Sequence, residues 1–267
     1  MSTAVAEVRL DDCLLRPGNT NCGGCGMSVG LTMLGRALAG ERYSMVIPAC
    51  CGIVAAGMYP TTSYNVPVVA STFASAPAFA AGVAAVNALN PAADGRPEHV
   101  LCWAGDGGQR SSATPAAART TTTPRGKGEG KKDIIGIMAA HRVPYAATLS
   151  IAHPDDFREK IRKALGIRGF RFFLIHAPCP TGWKTEPAES IELVRLAVRS
   201  GVFPLYEVVD GVEYRINAEP DGTDPAEYFG RQKRFGGGAV DLEALGRAVA
   251  DRNRRLQQLA GLNVGAA

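Results

Sequence analysis

The sequence predicts an α/β fold, an open and mostly parallel sheet flanked by helices with a C-terminal extension. Three observations carry this expectation. Short apolar runs alternate with helical patterns through residues 26–200, the order that builds parallel sheets. Two glycine-containing turns, at residues 49–52 and 105–108, follow such runs directly, at the carboxyl ends of strands where ligands of open α/β sheets bind. The chain has 267 residues, 46% hydrophobic and 20% charged, which is ordinary for one sizeable core with an extension. The expected division is an α/β domain over 1–200 and an extension with a helix over 201–267.

Taken in order, Asn19 to Gly26 is a glycine-rich turn, and Val29, Leu31, Leu34 and Leu38 then recur at helical spacing. Gly40 ends that helix. Tyr43–Pro48 reads as a buried strand running into the Ala49-Cys50-Cys51-Gly52 turn, and 66–71 is a second apolar run. The alanine-rich stretch 74–89, opened by Pro77, is a helix able to pack closely. His99–Ala104 is a strand that stops at Gly105-Asp106-Gly107-Gly108. Residues 109–133, without Val, Ile, Leu or Phe, form a loop. Order resumes with a helix over 134–141 and a strand over 145–151. His153-Pro154-Asp155-Asp156 opens the next helix, since proline fits a first turn and carboxylates favour its positive end. Residues 171–177 form a buried strand ending at Pro178-Cys179-Pro180. Helices follow over 189–200 and, amphipathic, over 241–259.

Composition excludes several function classes. Residues 109–133 hold six Lys or Arg against Glu129 and Asp133, which accounts for the whole net charge of +4. The remainder sums to zero, so there is a local basic loop and no nucleic-acid-binding face. From Tyr43 to Ala93 no residue is Asp, Glu, Lys, Arg or His. Prolines 48, 60, 67, 77 and 91 interrupt this segment before a span of about 20 residues can cross a membrane. An uncharged stretch of this length faces the core or a partner subunit. The N-terminus has no basic and apolar signal pattern, and seven cysteines without one indicate a reducing, cytoplasmic setting in which thiols serve metals or redox chemistry.

Cys22-Gly-Gly-Cys25 has the spacing that brings two thiolates to one centre, with glycines allowing the tight turn. Alone it is also compatible with a redox pair or a zinc site. Cys51 closes a strand-end turn and Cys179 sits between two prolines that hold its direction, so four thiolates can complete a [4Fe–4S] or a zinc site. Cys50 competes with Cys51. Cys13 and Cys102 read as ordinary, the latter inside an apolar strand.

In combination the motifs are specific. Cys22-Gly-Gly-Cys25-Gly26, Pro48-Ala49-Cys50-Cys51 with Tyr59-Pro60, Trp103-Ala104-Gly105-Asp106-Gly107-Gly108 and Gln109–Pro115 resemble the beta subunit of pyruvate:ferredoxin oxidoreductase and its 2-oxoacid relatives. So do the threonine run 120–123, Lys131-Lys132-Asp133, Ala177–Trp183 and Gly201–Glu207; the likeness covers roughly residues 16–235. The resemblance implies a thiamine diphosphate-binding fold and a [4Fe–4S] cluster on Cys22, Cys25, Cys51 and Cys179, with Cys51 chosen by its distance to the Tyr-Pro pair. It implies that Gly105, Asp106, Gly107 and Gly108 bind the cofactor's diphosphate, with Asp106 on Mg²⁺, a hard cation that takes carboxylate and phosphate oxygens. The implied reaction is oxidative decarboxylation of a 2-oxoacid with coenzyme A to acyl-CoA and CO₂. Electrons pass from thiamine diphosphate to the cluster and on to ferredoxin. The implied partners are alpha, gamma and delta-type subunits. No catalytic base is assigned here, since the resemblance puts the acid that activates the cofactor on the alpha subunit.

The chain departs from the family at one place. There a helix and a further strand carrying more Mg²⁺ and diphosphate ligands follow the glycine-aspartate turn, whereas here Gly108 is followed directly by Gln109. A strand–helix–strand unit takes about 30 residues or more, and 109–133 is too polar to supply the buried strand. Either the chain omits an internal stretch, or the unit is deleted. The second case leads to another reading, a non-catalytic, metal-stabilised interaction subunit that has lost the cofactor.

Overall fold

A computed structural model describes residues 13–58, 60–105, 132–235 and 241–262. Asp106, Gly107, Gly108, Tyr59 and all but the last two residues of the basic loop lie outside that set. The chain divides into two compact units, one of residues 1–21 and 31–110, the other of residues 22–30 and 111–267.

In the first unit, β1 (Arg42–Pro48) lies between β2 (Val68–Ser71) and β3 (Glu98–Cys102), all parallel, with Met45 opposite both Val68 and Leu101. Met45, Val46 and Ile47 are buried, as an apolar central strand requires. A short helix, α2 (Cys51–Val54), follows β1. Between β2 and β3 runs α3 (Ala76–Leu89), with Pro77 in its first turn. Its small residues Ala76 and Ala80 let it settle on Val46 and Val100. Its other face is uncovered: Phe79, Val86 and Leu89 are 51, 57 and 81% exposed. The close packing that its alanines allow is seen along one stripe of the helix. Helix α1 (Gly26–Ala37) matches the predicted periodicity, burying Leu31 and Leu34, and the chain turns at Gly40 with φ +86°.

The second unit is built on β4 (Tyr145–Ser150), buried along its whole length. The strand β5 (Arg171–His176) pairs parallel on one side. On the other side β6 (Leu205–Val209) and then β7 (Glu213–Ala218) are antiparallel, giving the order β5-β4-β6-β7. The helices α4 (Ile134–Ala140) and α5 (Pro154–Leu165) fall where expected, Asp133 capping α4 through the Gly136 amide at 2.9 Å. Beyond β5 come α6 (Pro180–Trp183), α7 (Ser190–Arg199), α8 (Pro225–Gly230) and α9 (Leu242–Gly261). Val249 and Leu256 of α9 enter two core clusters, so the last helix is part of this unit's core.

The architecture is α/β, with parallel strands and flanking helices, and the described strands fall into two sheets. The hairpin β6–β7 is absent from the predicted elements, although Asp210-Gly211, with φ of 50° and 75°, is a sequence pattern that favours a two-residue hairpin turn. β5 was expected as a buried strand; among the described strands it lies at a sheet edge, and it is half-buried throughout. Among the described residues no helix is long and apolar enough to cross a membrane.

Candidate metal centre

Three of the four predicted ligands, Cys22, Cys25 and Cys179, belong to the second unit. Cys22 and Cys25 flank a tight turn closed by the Cys25 amide on the Cys22 carbonyl at 3.1 Å, and α1 starts at the next residue. Cys179 ends the stretch after β5 and stands immediately before α6, where its sulfur accepts the Gly182 amide at 3.3 Å. Pro180 occupies the first turn of α6, and the Trp183 amide returns to the Cys179 carbonyl at 2.8 Å.

Separate bonds tie these two turns together. The Gly26 amide donates to the Pro178 carbonyl at 3.0 Å, Ser190 Oγ donates to the Gly24 carbonyl at 2.8 Å, and Thr181 Oγ1 donates to Cys22 Sγ at 3.5 Å. The approach is close enough to demand glycine. A Cβ on Gly26 would lie 2.5 Å from Pro178 Cδ, and one on Gly24, whose φ is +68°, would lie 2.7 Å from Pro187 Cα. The glycines of Cys-Gly-Gly-Cys-Gly therefore serve packing as well as the turn itself.

The Cys179 turn rests on an aromatic floor that the sequence reading did not identify. Trp183 is 6% exposed, with the Arg234 guanidinium 4.4 Å from its ring centre. His176 stacks on Phe203 at 4.6 Å, and its Nε2 is 3.2 Å from the Tyr228 hydroxyl, which burial pushes up to about 12. The only sequence signal for this role is a histidine at the end of an apolar strand, which does not reveal its partners.

Cys51, in the first unit, is the first residue of α2 and is exposed. Its neighbour Cys50 is half-buried. A Cβ on Gly52 would lie 3.5 Å from the Cys50 sulfur, and one on Gly105 would lie 3.6 Å from Cys50 Cβ. Of the predicted diphosphate turn only Gly105 is described. Cys102 is exposed at the end of β3, not buried within it as its apolar neighbours suggested. Among the described residues no group of three or more His, Cys, Asp or Glu side chains is gathered as for a bound metal ion. The chemistry of the three thiols in the second unit nevertheless suits a thiolate-bound cluster: Cys22 and Cys25 stand on a glycine turn, Cys179 between two prolines, and a hydroxyl and a backbone amide are aimed at two of the sulfurs.

No protein-family profile matches the chain. Individual proteins do. The ketoisovalerate oxidoreductase subunit VorB of Pyrococcus horikoshii is 38% identical over 91% of this chain and 92% of its own length. The chain belongs to the 2-oxoacid:ferredoxin oxidoreductase family, among its beta subunits. The pyruvate synthase subunit PorB of Methanothermobacter marburgensis is likewise 38% identical, over 83% of this chain and 89% of that protein. A solved 2-oxoglutarate:ferredoxin oxidoreductase from Magnetococcus marinus, with 2-oxoglutarate, coenzyme A and succinyl-CoA bound, superimposes with a TM-score of 0.54 at 16% identity, covering 90% of this chain and 95% of that one. At that identity the superposition shows the fold.

The alignment with the Pyrococcus horikoshii protein runs over 288 positions, and 91% of 267 residues is about 243, so about 45 of its positions meet no residue of this chain.

Proposed function

We propose that this subunit carries a [4Fe–4S] cluster on Cys22, Cys25, Cys179 and Cys51 and serves a complex that oxidatively decarboxylates a 2-oxoacid with coenzyme A. The observation that carries the reading is the pair of stitched cysteine turns, each with a hydrogen-bond donor on a sulfur. Exposure of Cys51, against the inward packing of Cys50, supports Cys51 as the fourth ligand. Gly105, Asp106, Gly107 and Gly108 are the proposed diphosphate turn, with Asp106 on Mg²⁺.

When bound, thiamine diphosphate supplies an electron sink for decarboxylation and the cluster a one-electron acceptor. This chain's own contribution is to hold the sulfurs in place. Pro178 and Pro180 restrict the backbone on either side of Cys179, and the buried Trp183 fixes the turn from below. The uncharged segment 43–93 holds seven of the twelve large apolar side chains found exposed among the described residues. That concentration supports a partner subunit of the same complex as its cover. Ferredoxin or a similar carrier is the proposed electron acceptor, and the cytoplasm the proposed compartment.

The alternative reading is a non-catalytic, metal-stabilised interaction subunit that no longer binds thiamine diphosphate, which follows if the unit expected after Gly108 is deleted. Metal analysis and a visible spectrum of the anaerobically purified complex separate the two. About four iron and four sulfide per chain, with thiamine diphosphate on extraction, support the enzyme. Zinc without thiamine sinks it.

A further inference from the structure

Two sulfur atoms of the candidate centre receive a hydrogen bond from one short turn. The Gly182 amide donates to the sulfur of Cys179, and the Thr181 hydroxyl reaches Cys22, 159 positions away in sequence. The turn is held rigidly. Trp183 N–H bonds the Cys179 carbonyl at 2.8 Å, Thr185 N–H bonds the Pro180 carbonyl at 3.0 Å, and the Trp183 ring is buried beneath Arg234. A threonine on such a turn holds its hydroxyl at a defined position. The amide donor is part of the backbone and is common to every side chain at 182. The hydroxyl donor exists only because residue 181 is Thr or Ser.

We propose that Thr181 is a positioning residue that raises the reduction potential of the cluster by donating a hydrogen bond to the Cys22 sulfur. This rests on the cluster reading above. Reduction adds one electron, and its charge is shared by the ligating sulfurs. A donor on sulfur therefore stabilises the reduced state more than the oxidised one, and hydrogen bonds to sulfur are among the terms that set the potential of such clusters. Thr181 is solvent-exposed, so its side chain adds little to folding by burial.

The test uses the anaerobically purified holo-complex with Thr181→Val, which keeps the shape and removes the hydroxyl, Thr181→Ala, and Thr181→Ser, which restores it. Each is titrated with dithionite and followed by electron paramagnetic resonance. One sulfur dioxide radical anion from dithionite gives one electron to one oxidised cluster and leaves as sulfur dioxide. The expected result is a midpoint shifted to lower potential in Thr181→Val and Thr181→Ala, wild-type in Thr181→Ser, with iron per chain and melting temperature unchanged. An unshifted midpoint in the Val and Ala variants at full iron content overturns the proposal. So does loss of iron from both, which would make the hydroxyl a mechanical tie between the two turns. Absence of iron and sulfide from the wild-type complex is a different outcome: it removes the cluster reading itself.

Discussion

The Tyr145 hydroxyl donates a 2.5 Å hydrogen bond to Glu207 Oε2, joining β4 to β6 inside the second unit. The other carboxylate oxygen accepts Lys163 Nζ at 2.8 Å, and the Glu207 side chain is only 5% exposed. Removing one partner leaves a buried charge short of a bond. Tyr145→Phe is expected to cost about 2 kcal/mol and Lys163→Met about 1 kcal/mol, since Lys163 is 37% exposed and Arg215 stays 3.8 Å from the same oxygen, both read by urea unfolding. Because both act on one carboxylate, the double variant should differ from the sum of the two losses. Strict additivity would argue against a shared network.

The same carboxylate makes stability depend on acid. Burial alone would push Glu207 up, but Lys163 and the Tyr145 hydroxyl outweigh it and hold the group below the usual carboxylate range. The stabilisation is therefore complete above about pH 4.3, the ordinary glutamate value. It is lost as pH falls through the lower folded value, where the unfolded chain binds the extra proton. Urea midpoints measured through this window should fall for the wild type and fall less steeply for Glu207→Gln. Equal slopes would mean that another carboxylate sets the acid limit.

Gly23 and Gly24 are adjacent, and their substitutions should have opposite outcomes. A Cβ on Gly23 meets nothing within 4 Å, whereas Gly24 has φ +68° and lies against the Pro187 backbone. Gly24→Ala is expected to cost at least about 1–2 kcal/mol from the left-handed backbone alone and to lower iron per chain. Gly23→Ala should retain both melting temperature and iron. Equal behaviour of the two variants would contradict the assigned contact.

The uncovered face of α3 should matter to assembly and not to the fold. Phe79→Asp and Val86→Asp place charge at positions more than half exposed, where little core packing is lost. Each is expected to leave the melting temperature of the isolated chain nearly unchanged and to reduce its co-purification with partner subunits. Undiminished co-purification of both would show that the partners sit elsewhere.

A true deletion of the α/β unit expected after Gly108 should be measurable as missing affinity. Isothermal titration of thiamine diphosphate with Mg²⁺ is expected to show at least about tenfold tighter binding once the helix and strand that the resemblance puts after the glycine-aspartate turn are inserted from a relative between Gly108 and Gln109. Equal affinity with and without the insert would show that the retained turn does not depend on the missing unit.

Much of the fold was legible because periodicity reports burial. Met45–Ile47 and Tyr145–Ser150 are apolar runs inside sheets, and the α1 and α5 patterns fall on helices. The reading failed where an apolar run signals a need for cover without naming what covers it. Residues 171–177 were expected as a buried strand, yet Arg171–His176 is half-buried at the edge of the described sheet. The β6–β7 hairpin went unread because Glu213–Ala218 alternates half-buried and exposed positions and resembles a surface stretch.

For the site, the sequence alone nominated the residues proposed to carry the chemistry. Thiol type, the two-residue spacing of Cys22 and Cys25, and the prolines around Cys179 are local properties that need no fold to be read. Only the tertiary structure decided how those turns meet. It placed the Pro178 carbonyl on the Gly26 amide, Ser190 on Gly24, Thr181 on the Cys22 sulfur, and Trp183 with His176 beneath the Cys179 turn. Contacts between residues more than 150 positions apart follow from how sheets and helices close around a core, and no local pattern of residues encodes them.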